Sequence, residues 1–189
     1  MLLLKVQAGS RLYGYASSTS DDDIFEVYSE PLIVMSQQQQ AHKRREVAVP
    51  VQQTIVDGVD TIRMTLSTFI QRASSGSHQA LDAMFAPNPM VDKIPSLRAN
   101  FFAGYEVIPT YTRIISKFAV QEGFRKQRHA LRAMFNLEDI LKSGRYNPEL
   151  SPERIEFIME KAHLPYSEFR ELLLESSPVS LEDVLPIKE

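Results

Sequence analysis

Short apolar runs, separated by turn residues and polar stretches, characterise the first third of the chain. Runs with the length and the branched or aromatic content of β-strands occupy residues 2–8, 22–29, 30–36 and 47–66. The last run contains Asp57-Gly58, a pair typical of a tight turn, and therefore predicts strand, turn, strand. The polar residues 37–46 predict an exposed loop or a sheet edge.

The apolar spacing changes to a helical period near residue 66. Leu66, Phe69 and Ile70 fall on one face of a helix predicted for residues 65–73. A shorter helix is predicted for residues 78–85, ending before Pro87, because the residue that precedes a proline disfavours helical geometry.

Helical periodicity dominates the second half of the chain. It covers residues 101–124, 126–144 and 152–164. Gly144 is a predicted C-cap, and Ser151-Pro152 has the form of a helix start. The predicted fold class is therefore α+β, with a mixed part in residues 1–100 followed by a helical part in residues 101–189.

Composition narrows the class of protein. With 189 residues and 43% hydrophobic residues the chain can bury a core, and its net charge of −3 argues against coating nucleic acid by bulk attraction. The absence of cysteine excludes disulfides and thiolate chemistry. No apolar run approaches the ~18 residues of a membrane span. We expect a soluble, cytoplasmic protein without a membrane partner.

The stretch GSRLYGYASSTSDDDIF, residues 9–25, carries the most distinctive chemistry. Asp21 and Asp23 would lie on one face of a strand about 7 Å apart, where two carboxylates repel each other unless a cation is present. Mg²⁺ prefers such oxygen ligands and leaves room for phosphates, while Gly9 and Ser10 offer backbone N–H groups and a hydroxyl to an anion. The competing interpretation is a solvated acidic turn.

A second polar pattern lies on the helix predicted for residues 126–144 and the residue before it. Arg125, His129, Arg132 and Asn136 are spaced i, i+4, i+7 and i+11, so they share one face. Such a stripe is either solvated or faces a cleft. The charge run 42–45 favours a solvated loop over a nucleic-acid contact. Core or lid positions are favoured over base stacking for four aromatic residues: Tyr13, Phe85, Phe101 and Phe102.

These motifs together resemble the DNA polymerase beta-like nucleotidyltransferase superfamily. The branch that it resembles is found in bacteria and phages and is associated in places with RNA ligase. Its pattern of Gly-Ser-Arg-x-Tyr-Gly, then Ser-Asp-x-Asp and Val, is matched in register within residues 9–27. Further likeness covers VDTIRMTLSTFI, LDAMF and RHALRAMFNLEDILKSG, up to about residue 145. The residue between the two acids is usually apolar, and here it is Asp22.

The resemblance implies a small mixed sheet with helices on one side, followed by a helical region that closes a cleft. It implies Asp21, Asp23 and Asp60 as catalytic residues and metal ligands for Mg²⁺, or Mn²⁺ in its place. It also implies a nucleoside triphosphate held by five residues: Gly9, Ser10, Arg11, His129 and Arg132. Asp60 has alternative interpretations as an exposed strand residue or a helix N-cap.

The implied activity is metal-dependent transfer of a nucleoside monophosphate from a nucleoside triphosphate to an acceptor hydroxyl, with release of pyrophosphate. The acceptor is open, and an RNA end, in RNA repair or modification, is one candidate. The host would be a bacterial cell or a phage-infected one. Two other functions fit the same residues: a catalytically silent nucleotide- or RNA-binding module, and an enzyme that nucleotidylates a protein or a small molecule.

Overall fold

A computed structural model describes residues 1–18, 20–37, 44–121 and 123–185, with the backbone alone at 33–37 and 44–47. The strands in these ranges are β1 (Leu2–Ala8), β2 (Asp22–Tyr28), β3 (Leu32–Gln37), β4 (Arg44–Val49), β5 (Val51–Val56), β6 (Val59–Thr65) and β7 (Val91–Asp92). The helices are α1 (Gly9–Leu12), α2 (Leu66–Ser74), α3 (His78–Phe85), α4 (Pro95–Asn100), α5 (Ile108–Ala119), α6 (Phe124–Ser143), α7 (Pro152–Lys161) and α8 (Tyr166–Ser176). The predicted α+β class is confirmed.

Five strands form a mixed sheet in the order β5-β6-β2-β1-β7. Strand β2 pairs antiparallel with β1 and parallel with β6, and β5 and β7 add antiparallel edges. A separate two-stranded sheet consists of β3 and β4. The loop that follows β1 and the start of β2 therefore meet at one end of the sheet, beside the start of β6.

The two faces of the sheet differ in chemistry. On one face, the register partners Val6 of β1 and Phe25 of β2 are almost completely buried in the main apolar core. The opposite face carries Glu26, which lies 3.1 Å from the Lys5 ammonium and 3.0 Å from the Arg63 guanidinium. Glu26 is buried at 6% exposure because these two cations cover it. A helix layer thus packs on one face and a charge network covers the other.

The buried apolar cluster extends from the sheet into the later helices. It includes Phe25 and Met64 from the sheet and Leu131, Leu137 and Phe169 from α6 and α8. The division into residues 1–100 and 101–189 stays a prediction. None of the helices within the described ranges is both long and apolar enough to cross a bilayer.

Several local predictions are confirmed by the structure. Asp57 and Gly58 both have positive φ, at 51° and 79°, and connect β5 to β6 as a tight turn. Gly144 ends α6 in the left-handed region, and the Ser151 side chain caps α7. Strand β6 leads directly into α2, whose N-cap is Thr65, so the N-cap interpretation of Asp60 is wrong.

The exposed loop or sheet edge predicted at residues 37–46 is only partly described. Residues 38–43 lie outside the described ranges, so the charge run is seen only at Arg44 and Arg45, which begin β4. These two residues pair with β3 in the small sheet. Because each strand of a two-stranded sheet is an edge strand, the sheet-edge interpretation is confirmed for them and the loop interpretation is wrong.

Candidate functional site

Two of the predicted acids lie side by side on adjacent strands. Asp23 of β2 is the register partner of Asp60 of β6, and the two strands are parallel. Register partners project to the same face of a sheet, across a strand spacing of about 4.8 Å. Asp21 comes immediately before β2, and all three residues line one cavity. The fold therefore brings the three predicted carboxylates to the wall of one cavity.

Asp22 has a different role from the two acids that flank it. It points away from them, and its Oδ1 lies 2.5 Å from Nε of Arg11 in an exposed ion pair. Arg11 Nη2 also donates a hydrogen bond to the carbonyl oxygen of Ser20 at 3.1 Å. Arg11 therefore holds the loop between β1 and β2 together, and it is not among the residues that line the cavity.

Gly9 lets the backbone approach the carboxylate of Asp23. Its φ is 62°, and a Cβ at this position would lie only 1.8 Å from Asp23 Oδ2. No residue with a side chain fits this arrangement without moving the carboxylate. Ser10 follows it and lines the cavity as well. The requirement for glycine at the end of β1 is therefore both steric and conformational.

The charges at this end of the sheet are only partly compensated. Burial raises the pKa of Asp23, and the neighbouring carboxylates of Asp60 and Asp21 raise it further, while Arg125 acts in the opposite direction. Asp60 Oδ2 accepts a hydrogen bond of 2.7 Å from Gln53 Nε2. Its Oδ1 is shielded from solvent and has no hydrogen-bond partner among the described residues. A cation would relieve both the repulsion and the unpaired oxygen.

The fit to a divalent metal ion can be tested on these residues. Within the described ranges no three acids or histidines are close enough to form a ready-made metal site. Two in-register carboxylates, one with an unpaired buried oxygen, nevertheless have the chemistry that Mg²⁺ requires, and Asp21 lines the same cavity. The residues therefore fit an ion that is held by two carboxylates and completed by water and substrate oxygens.

A cavity of about 630 Å³ separates the acids from helix α6. Its size falls within the roughly 300–1,000 Å³ that is typical of sites for small ligands. The α6 side contributes basic and imidazole side chains: Arg125, Arg128, His129 and Arg132. Three members of the predicted polar stripe therefore face the cavity, whereas Asn136 is buried elsewhere at 1% exposure. The solvated-stripe interpretation is wrong for Arg132 and Asn136.

Arg132 already has protein partners. It is 3% exposed, and its Nη1 lies 3.2 Å from Oδ2 and 3.3 Å from Oδ1 of Asp82. The same carboxylate accepts hydrogen bonds from Tyr13 at 2.7 Å and from Tyr146 at 2.8 Å. Asp82 therefore ties the Gly-Ser loop, α3, α6 and the segment after α6 together.

His129 is uncharged at neutral pH. Its burial, followed by the positive charges of Arg132, Arg128 and Arg125, lowers its pKa to about 3. Its ring packs against Phe118 with 5.2 Å between centroids. His129 can therefore offer the cavity a neutral donor or acceptor, but no positive charge.

Arg128 and Tyr15 are site residues that the sequence reasoning missed. Two neighbouring rings lie between two cations here: Arg132 lies 3.8 Å from the Tyr13 ring, the Tyr13 and Tyr15 rings lie 5.5 Å apart, and Arg128 lies 4.2 Å from the Tyr15 ring. We call these four residues the cation–aromatic ladder. Arg128 is three residues after Arg125 and four before Arg132, a spacing that could have placed it on the same helical face.

Comparisons with known proteins do not identify the chain. Its sequence matches no protein-family model. No curated protein is significantly similar to it.

Proposed function

We propose that the protein is a metal-dependent nucleotidyltransferase, which moves a nucleoside monophosphate from a nucleoside triphosphate to an acceptor hydroxyl. The observation that carries this proposal is the in-register pair Asp23 and Asp60, with the Gly9 backbone against the first carboxylate, at a cavity whose other side is basic. A cavity that is acidic on one side and basic on the other suits a ligand that brings both metal ions and phosphates.

In the proposed reaction the acceptor hydroxyl oxygen attacks the α-phosphorus of the triphosphate. A bond forms between that oxygen and the phosphorus, and the bond from the phosphorus to the bridging oxygen of the β-phosphate breaks. Pyrophosphate leaves with the electron pair. Asp60, whose Oδ1 has no hydrogen-bond partner among the described residues, accepts the hydroxyl proton and passes it to solvent.

The three acids share the task of holding the metal. Asp23 and Asp60, with Asp21 at the same cavity, would hold Mg²⁺, or Mn²⁺ in its place, which would supply charge neutralisation at the phosphates and a lower pKa for the acceptor hydroxyl. The raised pKa of Asp23 means that its carboxylate is held in an unfavourable field before substrate arrives. Ser10 lines the cavity beside them and has a hydroxyl to donate to a phosphate oxygen.

Two measurements test the proposal. Calorimetric titration with each of the four nucleoside triphosphates, with and without Mg²⁺, should show binding that depends on the metal and is lost in Asp23→Asn. Asp22→Asn is the matched control, because Asp22 neighbours the site in sequence but pairs with Arg11 at the surface. If no triphosphate binds, or if both variants bind like the wild type, the proposal fails.

The second measurement identifies the group that is transferred. RNA ends, proteins and small alcohols are offered as acceptors together with triphosphates labelled at either the α- or the γ-phosphate. Transfer of the α-label alone, with pyrophosphate released, is the expected result. Transfer of the γ-label would indicate phosphoryl transfer instead. Binding without any transfer across the acceptors would favour a silent nucleotide-binding module.

A further inference from the structure

The side chains that α6 presents to the cavity differ in what they can still bind. Arg132 is buried, paired with Asp82 and covered by the Tyr13 ring. His129 is neutral, since its pKa lies near 3. Neither supplies a free positive charge to a ligand. The remaining basic side chains on this side of the cavity are Arg125 and Arg128.

Arg128 is held in place by rings and has no anionic partner among the described residues. Its guanidinium lies 4.2 Å from the centre of the Tyr15 ring and 5.4 Å from that of Phe124. Its Nε is shielded from solvent without a hydrogen-bond partner, and no carboxylate lies within ion-pair distance, among the residues that the structure describes. The guanidinium is therefore under-satisfied before a ligand binds, which costs free energy.

The geometry favours a phosphate group as this acceptor. When aromatic rings flank a guanidinium, its N–H groups remain free at the edge, as a fork that matches two oxygens of a phosphate. Arg125 adds a second positive charge at the same cavity, close enough to act on Asp23. The site is therefore preorganised for an anion on the α6 side of the cavity.

We propose that Arg128, assisted by Arg125, binds the polyphosphate part of the substrate, and that this contact forms without a metal ion. The inference rests on the proposed function for the identity of the substrate, but its chemistry can be tested alone. It assigns the phosphate contact to two residues other than Arg132 and His129. Arg132 instead positions Tyr13 and the Gly-Ser loop through Asp82.

The probe is inorganic tripolyphosphate, titrated calorimetrically in the presence of EDTA so that no metal takes part. We expect wild-type protein to bind it, and Arg128→Gln to bind it roughly 10- to 100-fold more weakly, the range for a lost charged hydrogen-bonding partner. Arg125→Gln should weaken binding only about two- to fivefold, because Arg125 is exposed to solvent. Arg113→Gln is the control: it removes one charge from an exposed position outside the cavity and should weaken tripolyphosphate binding by less than about twofold.

Arg128→Lys keeps the charge and much of the packing, and it guards against a folding defect in the glutamine variant. It should bind tripolyphosphate more weakly than wild type, because an ammonium cannot form the two-pronged contact. Circular dichroism checks that each variant is folded. Failure of the wild type to bind tripolyphosphate, or wild-type affinity in both Arg128 variants, would overturn the inference.

The inference and the proposed function fail in different ways. If tripolyphosphate binding depends on Arg128 but no triphosphate is used with any acceptor, the phosphate site stands and the enzyme proposal falls. If nucleotidyl transfer occurs and depends on Asp23 but not on Arg128, the enzyme proposal stands and this inference falls.

Discussion

Replacing Asp23 with asparagine should make the metal-free protein more stable. Asp23 and Asp60 are register partners on parallel strands, so Asp23→Asn removes one of two like charges that lie about 5 Å apart. Coulomb's law gives roughly 1–3 kcal/mol of repulsion at this distance for an effective dielectric constant between about 80 and 20. Because Asp23 is partly exposed, screening by solvent reduces this to about 1 kcal/mol, in line with like charges opposed across strands.

The assay is thermal unfolding followed by circular dichroism, in EDTA and at low salt. For a chain of this length, 1 kcal/mol corresponds to a Tm change of about 2–4 °C, so the variant should melt that much higher than wild type. Adding salt should shrink the difference, since screening weakens the repulsion. A lower Tm for Asp23→Asn in EDTA would refute the claim that the acid pair is strained.

Magnesium should reverse the order of stability. At a concentration ten times its dissociation constant, an ion that binds only the folded state adds about 1.4 kcal/mol to wild type. Asp23→Asn should lose this gain. Asp22→Asn should keep it and should itself cost less than about 1 kcal/mol, because it breaks only an exposed pair with Arg11. An equal magnesium response in both variants would contradict the assignment of Asp23 as a ligand.

Three other substitutions test neighbouring parts of the structure. Gly9→Ala should abolish triphosphate binding and should lower the free energy of unfolding in urea more than Gly58→Ala does. The added Cβ of Gly58→Ala meets nothing within 4 Å, so that variant loses only about 1 kcal/mol through backbone strain. Equal losses in the two variants would argue against a close approach of the Gly9 backbone to Asp23. Asp82→Asn leaves a buried arginine without its counter-ion and should cost about 3–5 kcal/mol, whereas Asp139→Asn, in a partly exposed pair, should cost less than about 1 kcal/mol. The folded-state pKa of His129 lies below the 6.5 of an ordinary histidine, so its contribution to stability is present above pH 6.5 and is lost as the pH falls toward 3. Between pH 7 and pH 5 the unfolding free energy of His129→Asn should therefore fall less than that of the wild type. An equal fall in both proteins would contradict the buried, neutral imidazole.

Sequence reasoning located the strands that carry the acids because their signals are local. Residues 2–8 and 22–29 have strand composition, and Asp57-Gly58 specifies its turn through positive φ at two successive residues. The cap residues Gly144 and Ser151 act within one helical turn, so they too could be identified from neighbouring residues alone. For such elements the sequence contains nearly all of the determining information.

The partners of the site residues were not predictable in the same way. The pairing of Asp23 with Asp60 depends on the register of two parallel strands, and periodicity does not determine which strands pair. Asp82 lies 50 residues from Arg132, so the contact that makes this arginine structural has no local signal. The ion pair of Arg11 with Asp22 likewise needed the folded loop.

The two sides of the cavity are stabilised differently, and this difference bears on function. On the α6 side, Arg132 is neutralised by Asp82, whose oxygens also accept hydrogen bonds from Tyr13 and Tyr146, so the buried charge at the base of that side is balanced. On the sheet side, Asp23 and Asp60 repel each other and one oxygen of Asp60 is unpaired. Replacing one of these acids would relieve the repulsion, and such stabilising changes cost function where activity needs a destabilised site. The retained strain therefore argues for a cationic ligand at the acids, and Arg125 and Arg128 on the opposite side can receive the anionic part of the same ligand.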